Sequence, residues 1–103
     1  MLDIEIIRQK CSDYQIRWSM HAVRQMEQRQ ISREDVLSSI YSGEIIEQYP
    51  DFWLNPACLI YGKNREGKVL HTVVGVDDQV HIVTVYYPDA SKFESDLKTR
   101  RKV

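Results

Sequence analysis

Residues 18–32 read Trp18-Ser19-Met20-His21-Ala22-Val23-Arg24-Gln25-Met26-Glu27-Gln28-Arg29-Gln30-Ile31-Ser32. Ser19 is a good N-cap residue, because its hydroxyl can accept a hydrogen bond from a free backbone N–H two or three residues later. The stretch predicts a helix over residues 19–30, with His21 in the first turn and Arg24 one turn below it. Because a helix N-terminus carries free N–H groups and partial positive charge, His21 and Arg24 indicate an anion site that can hold a phosphate.

Two further helices flank this segment. Residues 2–11 carry apolar side chains at helical spacing, which predicts a first helix. Residues 14–18 then form a short connecting or extended piece. Ser32 caps a third helix, with Asp35 three residues later completing a shortened capping box. Gly43 ends that helix in the usual C′ position.

The second half of the chain is dominated by strand patterns. Runs rich in valine and isoleucine, separated by turn residues, predict four strands over residues 44–49, 57–61, 68–76 and 79–87. Asp89 or Ser91 caps a short final helix through Leu97. Helices first and strands second indicate an α+β fold, in which N-terminal helices pack on a four-stranded, mainly antiparallel sheet with a short C-terminal helix.

The composition is that of an ordinary globular protein. The 103 residues are 43% hydrophobic and 28% charged, which predicts one domain over residues 1–103. A net charge of −1 argues against a protein that coats nucleic acid, although it leaves room for a local basic site. No apolar run approaches the roughly 20 residues of a membrane span. Asp3 and Glu5 stand where a signal peptide has basic residues, so we expect a cytoplasmic protein without membrane contact.

Residues that bind metals are sparse. Cys11 and Cys58 lie far apart in apolar surroundings, which predicts buried free thiols. The three histidines are widely spaced, so no standard zinc pattern can be written. We expect neither a metal nor another cofactor.

The last two strands predict a polar cluster. A two-residue hairpin turn at Asp77-Asp78 places His71 directly opposite Thr84, with Tyr86 on the same face. The apolar neighbours expected on that face are Val69, Val73 and Ile82. The other face is the more apolar one, and we expect it to carry Leu70, Thr72, Val74, Val76, His81, Val83 and Val85.

These residue types suit RNA cleavage without a metal. A base removes the proton of the 2′-hydroxyl, an acid protonates the leaving 5′-oxygen, and cationic donors stabilise charge on the phosphoryl oxygens. We assign His21 or His71 as the general base or acid, because a histidine titrates near neutral pH. Arg24 is the phosphate clamp, since its guanidinium can bind two oxygens at once. Thr84 and Tyr86 orient the scissile group, and Tyr86 is also a candidate proton donor.

Each of these residues also has a purely structural interpretation. His21 can occupy a surface position of the first turn, and Arg24 can be a solvated helix residue. His71 can be an interior histidine bonded to a hydroxyl. Tyr86 can be an ordinary strand aromatic.

Three further regions are candidates for RNA binding. Arg29, roughly 80° round the helix from His21, is a second clamp. Trp53, in a loop bracketed by prolines, can stack on a base, close one end of the core or dock a partner. Arg100 and Arg101 belong to a basic tail that either frays in solvent or steers RNA towards the site.

The chain resembles the bacterial family called domain of unknown function 4258. The residues that carry the resemblance are Ser19 to Ser32, Gly43 to Glu47, Cys58 to Gly62, Val69 to Val74, and Thr84 to Tyr86. The chain departs from the pattern at Gln25, which adds one residue between Arg24 and Met26. The resemblance implies a single RelE/barnase-like domain, similar to RelE-like and BrnT-like toxins, with an endoribonuclease activity and an antitoxin protein as partner.

Three functions follow from these observations. The first is an endoribonuclease of toxin–antitoxin type that cleaves RNA, on or off the ribosome, by general acid/base catalysis without a metal. The second is a non-enzymatic module that binds a protein through the valine-rich sheet, the loop around Trp53 or an exposed edge strand over residues 44–49. The third is a small homodimeric structural protein.

Overall fold

The computed structural model describes residues 1–52 and 55–102. This part of the chain forms three helices and one five-stranded sheet, which confirms the α+β class. In chain order the elements are α1 (Ile4–Ser12), β1 (Ile16–Trp18), α2 (Met20–Arg29), α3 (Arg33–Ser42), β2 (Glu44–Tyr49), β3 (Ala57–Lys63), β4 (Val69–Val76) and β5 (Val80–Tyr86). None of the described helices is long and apolar enough to cross a bilayer.

The helix caps that the sequence predicts at Ser19 and Ser32 are confirmed. The Ser19 hydroxyl accepts the backbone N–H of Ala22 at 3.0 Å, so α2 begins where the cap places it. At α3, the Ser32 hydroxyl accepts the Asp35 N–H while the Asp35 carboxylate accepts the Ser32 N–H, completing a capping box. These short-range bonds are encoded locally, which is why spacing alone predicts them.

The sheet has one strand more than the sequence predicts. Its strand order is β1-β5-β4-β3-β2, and all neighbours are antiparallel except β1 and β5. The additional strand is β1, a three-residue segment that pairs in parallel from Ile16 opposite Val80 to Trp18 opposite Ile82. Three residues are too few for a period-2 pattern, so only the tertiary pairing defines this strand.

The predicted C-terminal helix is wrong. Residues 88–102, here called the strap, form turns in which the Asp89 and Asp96 carboxylates accept nearby backbone N–H groups. Such local bonds compete with helical ones. The strap folds back on itself, because Glu94 N–H donates to the Thr99 carbonyl at 2.7 Å and Arg101 N–H to the Lys92 carbonyl at 2.9 Å.

The predicted register of the last hairpin is also wrong. Val76 pairs with Val80 rather than Gln79, so the turn holds one residue more than expected. A bulge at Val83 adds a second residue, and His71 consequently lies opposite Tyr86 rather than Thr84. Two added residues restore the original face, so His71, Thr84 and Tyr86 still share one side of the sheet.

Between the turn and the bulge, the pairing is shifted by only one residue from the predicted register. The β5 residues there therefore point to the face opposite the predicted one. Ile82, expected beside His71, packs instead in the core beneath the helices. The sequence predicts Val83 on the more apolar face, opposite His71, but Val83 packs with the cluster on the His71 side. His81 pairs with Gly75 and so also lies on the His71 side of the sheet, not on the predicted face.

Other parts of the chain pack against both faces of the sheet. The helices bury one face in the main core, which includes Cys11 and Cys58 as the predicted free buried thiols. Burial raises the pKa of Cys11 to about 11 and that of Cys58 to about 12, so both stay protonated. The strap covers part of the other face, where Phe93 is 1% exposed.

Helix α3 lies unusually close to β3. A Cβ atom on Gly62 would stand 1.9 Å from the Ser39 carbonyl oxygen, and one on Gly43 would stand 2.4 Å from the same atom. Gly43 has an extended backbone rather than the left-handed one of a C′ glycine. The glycines are therefore required by the close approach of backbones.

We expect Gly62→Ala to lower the free energy of unfolding by about 1–3 kcal/mol, because the new methyl group overlaps backbone that cannot move away easily. Gly75→Ala is the matched control, since its Cβ would meet nothing closer than 3.9 Å. Urea unfolding of both variants measures the difference. Equal losses would contradict the close-contact explanation.

Candidate functional site

The free edge of β5 positions helix α2. Strand β1 covers this edge only as far as Trp18, and side chains then continue the hydrogen bonding. The Ser19 hydroxyl donates to the Val83 carbonyl at 3.0 Å. Six residues further on, Gln25 Oε1 accepts the Val85 N–H at 3.1 Å. These two contacts fix α2 along the edge of β5.

The same edge selects the tautomer of neutral His21. Gln25 Oε1 also accepts the hydroxyl of Thr84, and the Val85 N–H requires an oxygen rather than an amide nitrogen at this point. With its one proton given to Gln25, Thr84 Oγ1 can only accept from His21 Nε2, which lies 3.2 Å away. Neutral His21 therefore carries its proton on Nε2 and has its lone pair on Nδ1, and the side chain is exposed.

We expect NMR of the imidazole nitrogens to show neutral His21 as the Nε2–H tautomer. Thr84→Val removes the acceptor while keeping the shape of the side chain, and should give a mixture of both tautomers. His81, whose Nε2 contacts Asp77 rather than Thr84, serves as the internal control. A dominant Nδ1–H form of His21 in the unaltered protein would contradict the assignment.

A cavity of about 460 Å³ opens beside Gln25. We call it the cationic pocket, because three of its lining residues are Arg29, Lys92 and Arg100. The full lining is Gln25, Arg29, Tyr86, Tyr87, Asp89, Lys92, Phe93 and Arg100. His21 does not line it but lies one helical turn from Gln25 on the same side of α2. Ligand pockets commonly have volumes of roughly 300–1,000 Å³.

Two acids moderate the charge of the pocket. Asp89 is part of its lining. Arg100 donates from Nε to the Glu47 carboxylate at 2.8 Å, yet its side chain remains 54% exposed. The hydrogen bond to Glu47 raises the pKa of Arg100, so the guanidinium is permanently charged. With three cations and these two acids, the pocket keeps a net positive charge in a chain whose overall charge is −1.

The structure separates the two arginines of α2. Arg29 lines the cationic pocket, whereas Arg24, the phosphate clamp expected from the sequence, is exposed and is not part of the lining. Arg24 is turned by about 100° from Gln25, the residue that faces β5. Arg101, expected to bind RNA, pairs with Glu94 at 3.2 Å and also lies outside the lining. Trp53 lies outside the described residues.

The basic tail is not frayed. Lys98 pairs with Glu44 at 3.0 Å, and Arg100 pairs with Glu47. These two ion pairs attach the strap to β2 and bring Arg100 to the pocket. A run of charges predicts a solvated end by default, and only the tertiary structure shows that it is docked.

His71 is fully buried, in contrast to His21. Its Nε2 lies 2.7 Å from the Leu97 carbonyl oxygen, and its Nδ1 lies 3.3 Å from the Tyr86 hydroxyl. A carbonyl only accepts, so Nε2 carries the proton and Nδ1 accepts from Tyr86. Loss of hydration on burial lowers the pKa of His71 below its usual 6.5, so the ring is neutral near pH 7.

This lowered pKa predicts acid sensitivity. The unfolded chain binds a proton at this histidine at a higher pH than the folded protein does. The contribution of His71 is therefore complete above pH 6.5 and is lost as the pH falls from 6.5 to the lower pKa of the folded protein. Urea unfolding between those limits should show this loss in the unaltered protein and a shallower dependence in His71→Gln. Identical pH dependences would contradict the prediction.

Two site residues were missed in the sequence. In the sequence, Gln25 stands out only as a departure from the family pattern. Its hydrogen bond to the Val85 N–H is possible because β1 ends at Trp18 and leaves that part of the β5 edge open. Lys92 lies in the segment predicted as a helix, whose real path brings it to the pocket. Neither carries a local signal that could have revealed its position.

No group of three or more histidine, cysteine, aspartate or glutamate side chains is arranged to hold a metal ion within residues 1–52 and 55–102.

Comparison with known protein families agrees with the motif around Ser19. The family described as Domain of unknown function (DUF4258) matches residues 18–87. The chain belongs to this family. The matched segment contains α2, α3 and β2 to β5, and it ends one residue after β5. The strap, with Lys92 and Arg100, lies beyond it. Searches of curated proteins and of solved structures gave no significant match.

Proposed function

We propose that this protein is an endoribonuclease that cleaves RNA by general acid/base catalysis without a metal. One observation carries the proposal: three cations from two distant segments line one pocket beside an exposed histidine with a free ring nitrogen. Phosphate groups favour such a site, because Arg29 and Arg100 can each present a fork of N–H donors to two oxygens.

His21 is the general base in this proposal. Its Nδ1 lone pair takes the proton of the 2′-hydroxyl, and the 2′-oxygen then forms a bond to phosphorus. The bond from phosphorus to the 5′-oxygen breaks, and the Lys92 ammonium supplies the proton that the leaving oxygen needs. The products are a 2′,3′-cyclic phosphate and a free 5′-hydroxyl. Arg29 and Arg100 stabilise the charge on the phosphoryl oxygens meanwhile.

Tyr86 and Thr84 orient the reacting groups rather than transfer protons. The Thr84 hydroxyl holds His21 in one tautomer. The Tyr86 hydroxyl donates to His71, and burial raises the pKa of Tyr86, which makes the phenol a weaker acid. His71 itself has both ring nitrogens engaged and is fully buried, so we do not assign it proton transfer.

We further propose that the protein acts as a toxin-type RNase with an antitoxin protein as partner. The support is an analogy: the resemblance to the DUF4258 family implies a likeness to RelE-like and BrnT-like toxins, and RNA on the ribosome is one candidate substrate. A partner strand could add to the outer edge of β2, the last strand of the sheet.

The test is to incubate purified protein with mixed single-stranded RNA in EDTA. We expect cleavage that ends in 2′,3′-cyclic phosphates, and a loss of about 10²–10⁴-fold in rate for His21→Ala. Arg29→Ala should slow cleavage more than Arg24→Ala, since only Arg29 lines the pocket.

Lys10→Ala is the control for general charge loss. Lys10 contacts the β4–β5 turn through the Asp78 carbonyl, roughly 20 Å along β5 from Tyr86. Cleavage that persists in His21→Ala would overturn the assigned base. RNA binding without cleavage, lost in Arg29→Ala, would indicate a binding module instead. If neither occurs on free RNA, repeating the assay on translating ribosomes decides whether the substrate is ribosome-bound.

A further inference from the structure

The strap supplies two of the three cations of the pocket. Lys92 and Arg100 both belong to it, whereas Arg29 comes from α2. The position of the strap therefore decides whether the cations converge. Its inner surface is anchored by Phe93, which is 1% exposed and meets the His71 ring edge-on at 4.7 Å.

His71 lies where the strap meets β4 and β5. From β4 it donates through Nε2 to the carbonyl of Leu97 in the strap, and it accepts through Nδ1 from Tyr86 of β5. Tyr86 lines the cationic pocket. The buried His71 ring thus contacts both Tyr86, which lines the pocket, and the strap, which carries Lys92 and Arg100.

The strap is held in an unfavourable conformation at this contact. Leu97 has φ +59°, in the left-handed region that residues with side chains adopt at a cost. This conformation directs the Leu97 carbonyl to His71 at 2.7 Å. Such a residue persists only where its surroundings compensate for it, and the hydrogen bond to His71 is a specific compensating contact.

We propose that His71 is a positioning residue, which sets Tyr86 and docks the strap so that Arg100 and Lys92 face Arg29. The use of the pocket rests on the proposed function, but the docking of the strap does not. His71 acts through its two hydrogen bonds, in place of the proton transfer expected from the sequence.

Titratable groups from β2, β3, β5 and the strap lie near His71. They are Tyr86 on β5, Tyr61 on β3, Glu47 on β2 and Arg100 on the strap. Glu47 and Arg100 form an ion pair with each other, so their effects on the imidazole largely cancel. A proton on His71 then has no dedicated counter-ion among these groups, and acid should loosen the strap.

The test follows the strap and the pocket separately. Limited trypsin digestion under native conditions reports strap opening, through cleavage after Lys92, Lys98 and Arg100. Binding of a short 2′-O-methyl RNA, which lacks the 2′-hydroxyl and cannot be cleaved, reports the pocket. The variants are His71→Leu, which removes both hydrogen bonds, and His71→Gln, which can restore a donor and an acceptor. Val74→Ala is the control for lost stability, because Val74 is a buried β4 residue on the helix side.

We expect strap cleavage to accelerate by roughly tenfold or more in His71→Leu, and little in His71→Gln or Val74→Ala. Affinity for the RNA should fall in His71→Leu as far as in Arg100→Ala. In the unaltered protein, cleavage should increase as the pH falls below 6.5, and His71→Gln should lack this increase.

Equal strap cleavage in His71→Leu and Val74→Ala would overturn the docking role. An open strap with unchanged RNA affinity, while Arg100→Ala binds weakly, would overturn the link between His71 and the pocket. If Arg29→Ala and Arg100→Ala both bind the RNA normally, the proposed function fails, and the digestion data still decide the role of His71.

Discussion

The structure depends on how the edge of β5 is completed. A strand edge leaves N–H and carbonyl groups that need partners. Here β1 pairs with the first three residues of β5, and the side chains of Ser19 and Gln25 form hydrogen bonds with the β5 backbone beyond them. Because these contacts fix both the start and the rotation of α2, they also decide that His21 contacts Thr84, that Arg29 lines the cationic pocket and that Arg24 does not. The candidate site is therefore a consequence of satisfying one strand edge.

The second face of the sheet is organised by a different principle. The strap has no regular secondary structure, so its path is set by a few specific contacts: a buried aromatic ring, a carbonyl bonded to His71, and two ion pairs to β2. Exposed ion pairs contribute little stability individually. The buried Phe93 and the hydrogen-bonded His71 consequently carry most of the anchoring, while the ion pairs orient Lys98 and Arg100.

The completed β5 edge and the docked strap together concentrate positive charge in one pocket, although the net charge of the protein is −1. Arg29 comes from α2, which lies along the edge of β5, and Lys92 and Arg100 come from the strap. The pocket forms next to Tyr86, where α2 and the strap lie close together. The family match covers the first contributor and ends before the second. In this chain the cationic character of the pocket is thus a joint property of the family domain and the strap that follows it.

What the sequence determined by itself is local: the caps of α2 and α3, the switch from helices to strands, and the buried thiols. Each depends on contacts between residues close in the chain or on strand alternation. Only the tertiary structure decided the parallel pairing of β1, the bulge at Val83, the course of the strap, and therefore which arginine reaches the pocket. Those features depend on long-range contacts, and a shift of one residue in register reverses the face of a strand.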